Sequence, residues 1–130
     1  MKKIILVVLT TLLLAACVNK EDTLEAKVSD FEGSGFKNNN GQIIVLVEDG
    51  IMVSGSLRLH EKTKKSSIDE VLEKENAEAD KLFNKVYTEG KIKTKGSKYY
   101  VTLTDNISLE FEKIGERTIK DLNGVEYFTQ

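Results

Sequence analysis

The chain has 130 residues, a formal net charge of −2, one cysteine, one histidine, and neither proline nor tryptophan. That length suits a single domain, and the weakly acidic balance excludes a nucleic-acid binder, which needs a concentrated basic footprint. One cysteine excludes an intrachain disulfide. One histidine leaves no set of soft ligands for a tetrahedral metal shell, so no metal and no cofactor is expected.

Lys2 and Lys3 open the chain, Ile4 to Leu14 is almost unbroken hydrocarbon, and Ala15-Ala16 leads into Cys17. A basic start, an apolar core and small residues before a cleavage point are the layout of a secretory signal peptide. The apolar run to Val18 is about 15 residues, short of the roughly 20 that a spanning helix needs. Leu14-Ala15-Ala16-Cys17 resembles the lipobox of bacterial lipoproteins. The resemblance implies cleavage before Cys17, diacylglycerol on its sulfur, and a lipid-anchored place in the cell envelope outside the cytoplasm. That place is the outer membrane where the cell has one, and otherwise the outer face of the cell membrane. Residues 1–16 are then signal peptide and 17–28 a lipidated cysteine and polar tether. Loss of Lys2 and Lys3 leaves 17 basic and 21 acidic side chains, a charge of −4. That balance argues against electrostatic docking on anionic lipid and leaves the acyl chains to hold the protein.

Residues 29–130 read as one β-rich domain. Phe31 to Phe36 is a first strand weakened by Gly33 and Gly35, and Lys37 to Gly41 is a turn. Gln42 to Glu48 and Ile51 to His60 form a hairpin about a type I′ Asp49-Gly50 turn, which sets Glu48 opposite Ile51 and Leu46 opposite Val53. One face of this hairpin holds Ile44, Leu46, Ile51, Val53 and Leu57. The other holds Ile43, Val45, Val47 and Met52, and needs a cover.

A helix over 67–88 is the expected cover. Ser67-Ile68-Asp69-Glu70 fits a capping box. Ile68, Val71, Leu72, Ala79, Leu82, Phe83 and Val86 recur at helical spacing. Acidic residues lead the segment and lysines close it, as the helix dipole prefers.

A meander follows. Gly96-Ser97 sets Thr94 opposite Tyr99 and Ile92 opposite Val101. A three-residue loop, Thr104 to Asn106, pairs Leu103 with Ile107, Val101 with Leu109 and Tyr99 with Phe111, with Asn106 left-handed. Asn123-Gly124 then turns the last hairpin, with Leu122 facing Val125 and Ile119 facing Phe128. The fold class is α+β, mainly β: an antiparallel eight-strand meander, barrel-like or a curled sheet, with one amphipathic helix between strands three and four. Eight strands leave an interior filled by side chains or holding one small ligand.

No catalytic constellation is visible. His60 reads as a surface residue at a strand end, and no serine stands in a nucleophile-elbow context. Tyr99, Tyr100 and Tyr127 are the candidate partner-binding residues, because tyrosine offers apolar area with a polar tip. Alternation puts Tyr100 on the face opposite Tyr99, Val101 and Leu103. The lipobox, the tether, Phe31-Glu32-Gly33-Ser34-Gly35, Glu48-Asp49-Gly50 and Asp121 to Val125 together resemble small calycin-like envelope lipoproteins of the NlpE type. The resemblance implies the barrel; the cysteine pair of copper-responsive members is absent here. The expected function is a non-enzymatic binding module for an envelope protein or a small apolar ligand. The alternative is a surface-exclusion or inhibitor lipoprotein that blocks a receptor, phage entry or a wall hydrolase.

Overall fold

The computed structural model describes residues 24–57 and 64–130; Cys17, the signal segment and His60 lie outside the described residues. After a 3₁₀ turn at Val28–Phe31 come β1 (Phe36–Asn38), β2 (Ile43–Val47) and β3 (Gly50–Ser56). Helix α1 (Ser67–Lys74) follows, then β4 (Leu82–Tyr87), β5 (Lys91–Lys95), β6 (Lys98–Thr104), β7 (Ile107–Gly115), β8 (Thr118–Asp121) and β9 (Glu126–Phe128). The fold is mainly β. Its nine strands form one antiparallel sheet in the order β4-β3-β2-β1-β9-β8-β7-β6-β5, curled into a half-barrel. The first and last strands pair in its middle. The two edges are β4 and β5, which are neighbours in sequence.

The ninth strand comes from the second half of the expected helix. α1 ends eight residues after it begins, in a Schellman motif. Asn76 is left-handed at φ 57°, its N–H donates to the Glu73 carbonyl at 3.1 Å, and the Ala77 N–H donates to the Leu72 carbonyl at 2.9 Å. Residues 82–87 then pair with β3, Met52 opposite Val86 and Ile51 opposite Tyr87. The cap also sits one residue earlier than expected. Ser66 accepts from the Asp69 N–H at 2.9 Å, and the Ser66 N–H donates to the Asp69 carboxylate at 2.9 Å. Both Ser-x-x-acid frames satisfy the pattern; the earlier one turns Ile68, Val71 and Leu72 into the core.

That core corrects the position of the helix. α1 touches both β3 and β7, which lie on opposite arms of the curl. Its apolar side chains join Val53, Leu103, Ile107 and Leu109 in one cluster. The helix therefore plugs the concave side instead of covering the convex one. On the convex side Val45 is covered by backbone. Gly35, at φ +67°, passes so close that a Cβ there would lie 2.5 Å from the Ile44 carbonyl oxygen.

Three further expectations shift. Phe31 belongs to the 3₁₀ turn and not to a strand; it packs edge-on against Phe36 and Tyr99 at centroid distances of 4.9 and 5.1 Å. In the β2–β3 hairpin Leu46 faces Ile51 and Val47 faces Gly50. The slip is an even number of residues, so the expected inner set keeps its face. In the last hairpin Ile119 faces Tyr127, because Asp121 to Val125 closes a three-residue loop with Gly124 at φ +86°. The β5–β6 register is as read, with Thr94 opposite Tyr99. The Val101–Leu109 and Tyr99–Phe111 pairs also form, but a bulge between Thr102 and Thr104 restores that register and Asn106 keeps negative φ. Within the 17–28 segment expected as a tether, Ala26 is buried and its N–H donates to the Gly96 carbonyl at 2.8 Å.

Candidate functional site

Three of the four tyrosines turn inward, and each gives its hydroxyl to a carboxylate. Tyr99 donates to Asp30 at 2.6 Å, Tyr127 to Asp121 at 2.8 Å and Tyr87 to Glu75 at 2.7 Å. The Asp30 and Glu75 pairs fasten the 3₁₀ turn and the helix C-terminus to the sheet, and the Asp121 pair joins β8 to β9 within the last hairpin. Burial pushes all three phenols up from their ordinary pKa, and the facing carboxylates push them further. Burial would also raise Asp30. The hydroxyl of Tyr99, the Lys27 N–H and the Lys113 ammonium at 3.1 Å outweigh it and hold the carboxyl below its ordinary value. Glu75 is lowered by Lys85 at 2.8 Å and then by Tyr87.

A buried polar network underlies the helix N-terminus. The Gln42 amide donates to Asp69 at 2.6 Å and to the Ser56 carbonyl at 3.1 Å, while its oxygen accepts from Ser66 at 2.6 Å and from Asn38 at 2.8 Å. Asp121 accepts from the backbone N–H groups of Ser67, Asn123 and Val125 and from the Tyr127 hydroxyl. Among the described residues every buried side-chain nitrogen and oxygen has a partner, and no three His, Cys, Asp or Glu groups gather as a metal shell. Ser66 gives its proton to an amide oxygen that also accepts from Asn38, so it is fixed as a cap. Saturated groups of this kind hold a plug in place.

Of the expected partner-binding residues, then, Tyr99 and Tyr127 are fully buried and beyond the reach of a partner, and the structure does not bring the three together. Tyr100 is 38% exposed on the outer face of β6, opposite Lys93 and Glu110. Cys17 lies outside the described residues.

The outer surface carries a feature that helical periodicity concealed. β4 is an edge strand whose second side has no strand partner among the described residues. Its Leu82 is 74% and its Val86 39% exposed. Val86 continues a cross-strand row from Val45 through Met52. The other edge, β5, carries Lys91, Lys93 and Lys95, the usual guard against pairing with another chain. The interior is taken by Phe31, Phe36, Phe111 and the helix side chains. One groove, about 640 Å³, is an open surface furrow beside the Asn38–Gly41 turn and Phe128. Among the described residues no helix is long and apolar enough to cross a membrane. No family model, curated protein or solved structure matches this chain.

Proposed function

We propose that this chain is a lipid-anchored cell-envelope lipoprotein, held through Cys17, that works as a non-enzymatic binding module for an envelope protein. The lipobox-like Leu14-Ala15-Ala16-Cys17 supports the anchor. The open edge of β4, which has Lys85 as its single lysine, supports the binding role: an extended segment of a partner adds there as a tenth strand, with Leu82 and Val86 as side-chain anchors. Of the two ligand classes expected, a small apolar molecule is the less favoured, because α1 and Phe31 occupy the concave side where it would sit.

The test places a photo-crosslinker at Asn84, midway along β4, in intact cells. The expected result is one defined protein adduct that disappears when Leu82 and Val86 are both changed to Lys. Adducts that persist in that double variant, or none at all, overturn the β4 site. For the anchor, Cys17→Ser is expected to leave a larger precursor that no longer partitions into detergent. An unchanged size and partitioning rules out lipidation.

A further inference from the structure

The mature charge of −4 is not spread evenly over the fold. Strand alternation turns Ile92 and Thr94 inward, opposite Val101 and Tyr99, and so puts Lys91, Lys93 and Lys95 together on the outer face of β5. Lys98 joins them from β6, directly opposite Lys95, and Tyr100 lies directly opposite Lys93. All four lysines are exposed. Glu110 and Glu112 on β7 face Tyr100 and Lys98, and Lys98 forms an ion pair with Glu110 at 3.9 Å. Like charges directly opposed across a strand pair destabilise a sheet; Lys95 and Lys98 are such a pair, with Glu110 and Glu112 offsetting Lys98 from its β7 side. Edge protection explains lysines on β5, but Lys98 stands on a strand paired on both sides.

The chain's entry point adds a second observation. The Ala26 N–H donates to the carbonyl of Gly96, the residue that turns this same β5–β6 hairpin. From Cys17 to Ala26 is nine residues, at most about 32 Å when fully extended. A lipid on Cys17 therefore holds the Gly96 end of the β5–β6 hairpin within about 32 Å of the surface that carries the lipid.

We infer that the outer face of β5–β6 is the membrane-facing side of the protein, where Lys91, Lys93, Lys95 and Lys98 bind anionic phospholipid headgroups and Tyr100 enters the interface among them. The inference rests on the proposed anchor. Lysines beside an anionic leaflet gain about fivefold each in occupancy, and a tyrosine ring suits headgroup depth. The orientation leaves β4, the opposite edge of the sheet, free for a protein partner.

The experiment uses the full lipidated protein in nanodiscs, either of phosphatidylcholine alone or with phosphatidylglycerol. Lysines are labelled with an amine-reactive ester and read by mass spectrometry. On anionic discs the four lysines are expected to label at least fivefold more slowly than on neutral discs, and high salt should erase the difference. Lys37, Lys64 and Lys81 should label equally on both. Lys93→Glu with Lys95→Glu should release Lys91 and Lys98 from protection while the circular dichroism stays unchanged. Equal labelling on both discs, with the acyl mass present on Cys17, overturns this orientation and leaves the anchor standing. An unacylated Cys17 overturns both.

Discussion

The Ser67 N–H donates to Asp121 at 2.8 Å, a bond across 54 residues that ties the first turn of α1 to the last hairpin. The same carboxylate oxygen takes the Tyr127 hydroxyl, and the other closes the turn through Asn123 and Val125. Asp121 thus decides two things at once, the register of β8–β9 and the seat of the plug. Asp121→Asn keeps one acceptor for the turn but presents an NH₂ to two buried donors. It is expected to cost about 2–4 kcal/mol, since buried groups left unpaired lose about 1–3 kcal/mol each. Urea unfolding measures this, and a midpoint within error of wild type would contradict the role.

The helix boundary makes the next prediction. Leu72 is fully buried on α1, whereas Leu82 stands exposed on β4. Leu72→Ala should cost about 2–5 kcal/mol. Leu82→Asp, which would be ruinous on a docked helix, should change stability by no more than about 0.5 kcal/mol. Melting temperatures of the two variants decide the matter; a large loss with Leu82→Asp would restore the longer helix.

Those two leucines show what the sequence could reveal. Inner faces were legible wherever alternation was strict, as along Tyr99, Val101 and Leu103, because a one-residue slip would have exposed every one of them. The helix was overextended because Leu82, Phe83 and Val86 suit a 3.6-residue stripe and an edge strand equally well. The discriminating signal was Asn76, a residue that accepts the left-handed cap. The bonding of Asp121 and Gln42 was illegible, since their partners lie 54 and 27 residues away. The lysine face was hidden by summing charge over the chain, whereas adding it along one face of β5–β6 exposes it.

Gly50 ties β3 to the end of β4. Its φ is +151°, and a Cβ there would meet the Tyr87 carbonyl oxygen at 2.2 Å. Gly41 is also left-handed, at φ +80°, but has open space around it. Gly41→Ala should therefore cost only the conformational penalty of about 1–2 kcal/mol. Gly50→Ala must also displace backbone, and should cost clearly more. Hydrogen exchange at the β4 amides checks the mechanism: Gly50→Ala should accelerate it, and Gly41→Ala should not.

The tyrosine–carboxylate pairs predict stability limits at both ends of the pH scale. Asp30 and Glu75 titrate below their ordinary values of 3.8 and 4.5 in the folded protein. Their contribution is complete above those values and is lost as pH falls through the lowered ones. Acid should therefore destabilise wild type below about pH 4, and Asp30→Asn should flatten that part of the curve. Tyr87, Tyr99 and Tyr127 behave in the opposite sense. Their folded pKa values are raised above 10.0, so between the unfolded and folded values the native state keeps protons that the unfolded chain releases. Stability is then complete below pH 10 and falls above it, by up to about 1.4 kcal/mol per tyrosine for each pH unit. Alkaline titration followed by tyrosinate absorbance and circular dichroism should show most of the phenolate signal appearing together with loss of structure. Tyr99→Phe should shift that transition upward in pH, because it removes a buried ionisable group. Phenolate absorbance that develops fully while the sheet signal stays intact would show that these hydroxyls are not sealed in the core.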